Sequence, residues 1–236
     1  MLEYIFDAYF MILYFIALIL SIVKYHLYYN SILKYLPILI AYTFLTETLG
    51  LIVKEIKEIQ IIYQEDYNQY NAIIFNFFDI VFFIYFFYIY YHAIDNSLHQ
   101  KTLKYGCILF IISSILNLFI QDFYIDPQNY SIIIGSILLL YSTGIYLNKI
   151  YKEAYKSYIH TNLLFWISIG IFFFYLFYPI TMYLLTYRYD FFMDYNIINY
   201  HHASIGVLYM CFIIGFYLMK RFRIPMKRKS ITNNLL

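Results

Sequence analysis

Charge is scarce in this sequence. Lysine, arginine, aspartate and glutamate make up 13% of its 236 residues, about half the share of a soluble domain. With 63% of the chain apolar, so few charged groups cannot hold a compact particle in water, and a soluble fold is excluded. Cysteine is scarcer still. Cys107 and Cys211 both fall inside apolar runs, which leaves no disulfide framework and no metal-spaced pattern. There are 7 Gly and 4 Pro, and they do not interrupt a matching pair of apolar segments. No internal repeat is present either, and both absences argue against the inverted-repeat transporters. The opening stretch, MLEYIFDAY, has acids ahead of its apolar run, neither Lys nor Arg, and no small-residue cleavage signature. The first apolar segment is therefore expected to stay in the mature protein instead of being removed as a signal peptide.

What the chain does have is seven apolar runs near the ~20 residues that cross a bilayer: Tyr4–Val23, Tyr35–Val53, Ala72–Tyr91, Tyr105–Ile120, Tyr130–Leu147, Leu163–Leu185 and Ile197–Met219. Many of their residues are β-branched or aromatic and would favour strands in water. In lipid a lone segment satisfies its backbone only as a helix, and barrel strands would alternate apolar with polar. The expected fold is all-α: a polytopic membrane protein with one seven-transmembrane-helix bundle over residues 1–219 and a basic tail over 220–236. Placing the N-terminus outside and the C-terminus in the cytoplasm puts 13 of the 16 Lys and Arg on the inner side, as the positive-inside rule requires. The 32 Tyr and 24 Phe fit a biased composition, and Trp166 with the interfacial tyrosines reads as a membrane belt.

Ionisable groups near mid-membrane cost roughly 2.5–3.5 kcal/mol each, so those present are default functional candidates. Thr43, Thr46, Glu47 and Gly50 share one face of the second span; Asn76 and Asp79 are an i, i+3 pair in the third. Ser113 or Ser114 with Asn117, and Asn199 with His202 and Gly206, do the same in the fourth and seventh, and Asp7 stands near the start of the first. At 1.5 Å per residue, Glu47 and Asp79 both lie about 9–10 Å below the outer ends of their spans, with His202 about 8 Å deep. An outward-facing polar pocket is therefore expected between the second, third and seventh helices, helped by the first and fourth. Its ligand-binding candidates are Thr43, Glu47, Asn76, Asp79, Asn117, Asn199 and His202. Glu47 and Asp79 are expected to share a proton or bind a cation, and His201 and His202 to offer an imidazole to a metal or to the acids. The same groups are equally readable as interhelical hydrogen-bond glue. Pro179, flanked by Tyr178 and Thr181, marks a kink in the sixth span. The inner face, with Lys220, Arg221, Arg223, Lys227, Arg228 and Lys229, suits anionic lipid or a cytosolic protein partner. No nucleic acid is expected as a partner.

The stretches NLFIQDFY (Asn117–Tyr124), IIIGSILLLY (Ile132–Tyr141) and LLFWISIGIFFFY (Leu163–Tyr175), together with Glu47, Asn76 and Asp79, resemble a group of poorly characterised seven-helix membrane proteins of Bacteroidetes-type bacteria. Those proteins are similar to the membrane sensor part of some histidine kinases. The resemblance implies a sensory bundle in the inner membrane of a bacterium. No kinase, receiver or DNA-binding segment follows Met219 in this sequence, so a signal would pass through a partner. Three classes remain open: a sensor or receptor-like protein; an accessory subunit, transporter or channel; and a seven-helix metal-dependent hydrolase. The last normally shows several His at helical spacing, whereas His92, His99 and His160 lie on the inner side, away from His201 and His202. A retinal Schiff base is excluded because the seventh span has no lysine before Lys220. Any other cofactor is unspecified.

Overall fold

The computed structural model describes residues 9–56, 72–153 and 159–220, and all of the regular structure in them is helical. Eight α-helices follow one another: α1 (Tyr9–Val23), α2 (Leu36–Glu55), α3 (Ala72–Ala93), α4 (Ser97–Asn117), α5 (Asn129–Glu153), α6 (Leu163–Tyr187), the short α7 (Tyr189–Asp194) and α8 (Ile197–Leu218). Five of them, α2, α3, α5, α6 and α8, are long and apolar enough to cross a membrane; α1 is apolar but 15 residues long in its described part. Five of the seven expected segments agree with a helix to within two residues at their described ends, while α5 runs six residues past the expected Leu147, to Glu153.

The fourth span differs. It was expected from Tyr105 to Ile120, with His92–Lys104 as an inner loop, but α4 begins at Ser97. The Asn96 side chain starts it early by accepting the Leu98 N–H at 2.8 Å, as an N-cap residue does. His99, Gln100, Lys101, Thr102 and Lys104 thus ride on the first turns of α4, and its connection to α3 shrinks to residues 94–96. Asn162 caps α6 in the same way, accepting the Phe165 N–H at 3.3 Å.

Contacts at the helix ends show that the elements run alternately up and down. At one end Lys149 Nζ pairs with Asp95 and donates to the Ala93 carbonyl, and the Lys220 N–H donates to the Thr161 carbonyl. At the other, Asn76 Nδ2 donates to the carbonyls of Phe123 and Asp126, and Asn129 Nδ2 donates to Thr186 Oγ1 at 2.8 Å. Packing closes a ring: α1 on α2, α2 on α3, α3 on α4 and α5, α5 on α6, α6 on α8, and α8 back on α1. The α6–α8 seam is the most extensive. A Cβ added at Gly170 would meet the Leu208 carbonyl oxygen and Cys211 Cβ at 3.0 Å, so this glycine sets how near the two backbones come.

The interior is aromatic, with Phe83, Phe86, Tyr90, Phe110, Phe212 and Phe216 all buried. The outer surface is apolar as well: Ile12, Phe15, Ile19 and Ile22 on α1, and Ile108, Ile112 and Ile115 on α4, are exposed. A bundle apolar on both sides belongs in hydrocarbon, and the five long apolar helices make this a membrane-embedded protein.

Candidate functional site

Toward the end of the bundle that holds the starts of α3 and α8 and the end of α6, the packing opens into a cavity of about 490 Å³. Its walls come from α1, α2, α3, α6 and α8, and residues 125–127 and Tyr189 border it at that end. The sequence face Thr43–Glu47 on α2 and the Asn76–Asp79 pair on α3 both line it, as do His201 and His202 on α8. Two neighbouring helices thus bring one acid each to one space, as their matched depths predict.

Each acid is held by a tyrosine from a third helix. Tyr14 of α1 donates to Glu47 Oε1 at 3.1 Å, and Tyr178 of α6 donates to Asp79 Oδ2 at 2.6 Å. No further hydrogen bond to either carboxylate is present among the described residues, so one oxygen of each remains for something in the cavity. The Tyr14 ring meets Tyr209 edge-on, with centroids 4.2 Å apart, and Tyr178 stacks between Phe174 at 5.0 Å and His201 at 5.7 Å. His201 Nδ1 is buried without a hydrogen-bond partner among the described residues. His202 packs its ring on Phe10 at 4.8 Å. Thr43 lines the cavity while its hydroxyl donates back to the Leu39 carbonyl at 2.9 Å.

Pro179 lies inside α6. Lacking an N–H, it leaves the Tyr175 carbonyl without its helical partner. The helix gives up that backbone bond along the stretch, Phe174 to Met182, with which it lines the cavity.

Three candidates do other work. Asn76 borders the cavity, but its amide is spent on a clamp: Nδ2 donates to the carbonyls of Phe123 and Asp126 at 2.8 and 2.9 Å, and Oδ1 accepts the Gln128 N–H at 3.2 Å. Asn117 is fully buried away from the cavity and donates to Gln121 Oε1 and Gln128 Oε1, so the fourth helix supplies glue instead of a wall. Asn199, although on the His202 face by spacing, is exposed and does not line the cavity. The expectation of a metal held by Glu47, Asp79, His201 and His202 is not supported: among the described residues no three of His, Cys, Asp or Glu converge as a ligand set. Asp7 and the tail residues Arg221, Arg223, Lys227, Arg228 and Lys229 lie outside the described residues.

Four cavity residues escape a reading by charge and spacing. Tyr14, Tyr178 and Tyr209 are hidden among 32 tyrosines, although Tyr14 does fall on the buried Phe10–Tyr14–Ala17–Ser21 stripe of α1. Asp126, placed by sequence in an outer loop, borders the cavity, and partial burial raises its carboxyl above the ordinary range. The chain matches no family model, no curated protein and no solved structure.

Proposed function

We propose that the chain is a seven-helix membrane receptor or sensor whose cavity admits a small ligand from the outer side. The observation that carries this reading is the cavity itself. It falls within the roughly 300–1,000 Å³ of small-molecule pockets, is walled mostly by apolar and aromatic groups, and has a few convergent polar atoms. Because five helices meet there, a ligand that fits one packing better than another biases the bundle by that difference in affinity. The inner half favours a receptor over a conduit: beyond the cavity Phe83, Phe86, Phe87, Tyr90 and Phe110 fill the interior, each at most 3% exposed. A metal-dependent hydrolase would need ligands that converge, and the described residues offer none.

In this reading α1 and α4 complete the seven spans, the N-terminus is outside, and the ligand signal leaves through a partner at the basic inner face, in a bacterial inner membrane. The likeness to the membrane part of sensor kinases belongs to the same proposal. Cysteine labelling in intact cells tests it, in a chain whose Cys107 and Cys211 are replaced by alanine. A membrane-impermeant thiol reagent added outside should modify Phe119→Cys and leave Lys101→Cys untouched, and small neutral methyl methanethiosulfonate should reach Met182→Cys in the cavity wall. The reverse labelling of Phe119 and Lys101 sinks the orientation, and an unreactive Met182→Cys sinks the open pocket.

A further inference from the structure

We infer that the cavity selects a small organic cation, an ammonium group carried on an apolar body, a conclusion that rests on the pocket reading above. The wall carries Glu47 and Asp79, with Asp126 at its border, and none of the described residues that line it is lysine or arginine. Phenols hydrogen-bond the two acids but bring no positive charge. A carboxylate facing a low-dielectric cavity without a counter-charge takes up a proton or gains a cation that enters, and an ammonium ligand supplies that cation.

Three features choose an organic cation over a metal ion. A hard metal wants several oxygen or nitrogen ligands at one point, and the described residues present no three together. At about 490 Å³ the space far exceeds one ion and its ligands. Much of the remaining wall, from Phe75, Phe78, Phe82, Phe174, Tyr175 and Tyr209, is aromatic, a surface that attracts ammonium groups through ring faces and packs apolar bodies by area.

Charge-selective modification of Met182→Cys tests this without knowledge of the natural ligand. The full chain, lacking Cys107 and Cys211, is treated with methanethiosulfonates bearing a trimethylammonium group, a sulfonate or only a methyl group. Phe119→Cys, in the exposed turn after α4, serves as the reference. The cation-to-anion rate ratio at Met182→Cys should exceed that at Phe119→Cys by about tenfold or more, the scale of one charge-assisted contact. The excess should disappear in Glu47→Gln/Asp79→Asn, and millimolar phenethylamine should slow the reaction of the unsubstituted-acid chain while 2-phenylethanol does not. Equal ratios at the two positions, with the methyl reagent still reacting, overturn the cation inference and leave the pocket standing. Failure of the methyl reagent at Met182→Cys overturns both. The comparison of reagents on the chain with both acids present needs no folded double variant.

Discussion

Tyr178→Phe removes one oxygen atom and leaves the ring stacked between Phe174 and His201, so it isolates the hydrogen bond to Asp79. That bond is 2.6 Å long and entirely buried; its counterpart, Tyr14 to Glu47, is 3.1 Å and partly buried. Interhelical hydrogen bonds in membrane bundles average about 0.6 kcal/mol in double-mutant cycles and reach about 1.7. The short, buried Tyr178–Asp79 bond belongs near the upper end, about 1.5 kcal/mol, and Tyr14–Glu47 near the average. The measurement is a pair of cycles, Tyr178→Phe with Asp79→Asn and Tyr14→Phe with Glu47→Gln, followed by equilibrium unfolding of the purified chain in mixed micelles. Tyr178 and Asp79 lie on α6 and α3, so their coupling also measures how firmly those helices are tied across the cavity. A coupling below about 0.3 kcal/mol for Tyr178–Asp79, or one smaller than that of Tyr14–Glu47, refutes the reasoning, because additive mutations mean non-interacting groups.

Asn76→Ala deletes three hydrogen bonds to residues 123–128 at once; it should destabilise by about 1–3 kcal/mol and speed hydrogen exchange of the Gln128 amide, and unchanged protection there would contradict the clamp. Gly170→Ala should part α6 from α8, since its Cβ meets a backbone carbonyl at 3.0 Å; about 1–3 kcal/mol of overpacking cost is expected in the same unfolding assay, and a neutral result would show that the seam is looser than described. Asn196 holds a left-handed backbone, φ 48°, where α7 gives way to α8; Asn196→Val should cost about 1–2 kcal/mol and Asn196→Gly close to nothing. Asp95→Asn breaks an ion pair whose acid side chain is 66% exposed, so its effect should stay below about 1 kcal/mol and shrink further in salt.

How much of this was legible in the sequence depended on how few ways a residue could satisfy itself. Apolar runs in lipid have one backbone solution, so the helices at Ala72, Leu163 and Ile197 begin where the composition says they should. The fourth escaped because hydropathy is blind to caps: Asn96 begins the helix while the residues that follow are still polar. Glu47 and Asp79 were legible because an acid at that depth must face a cavity or a partner. The amides were not. Asn76, Asn117 and Asn199 share a residue type and a helical spacing with genuine wall residues, yet one clamps a loop, one is sealed in an amide network and one faces outward. An amide can be satisfied by neighbouring backbone and so leaves no signature of where it points.

The choice between glue and binding site loses its force at these acids, since both carboxylates are already tied to tyrosines and a cavity is still there. What glue alone produces is visible toward the opposite end of the same bundle. Tyr90 meets Ser168 at 2.9 Å between α3 and α6, and the surrounding rings close over the pair. The same two helices are joined again by Asp79 and Tyr178, and there they stay apart around open volume. A difference in hydrogen bonding cannot explain this, because each pair has its bond. Two features accompany the open volume: Pro179, which removes a backbone bond from α6 beside Tyr178, and acids whose second oxygens would be stranded if the walls closed on them. Closing the walls on Glu47 of α2 and Asp79 of α3 would strand a carboxylate oxygen of each, a cost that the Tyr90–Ser168 pair does not carry.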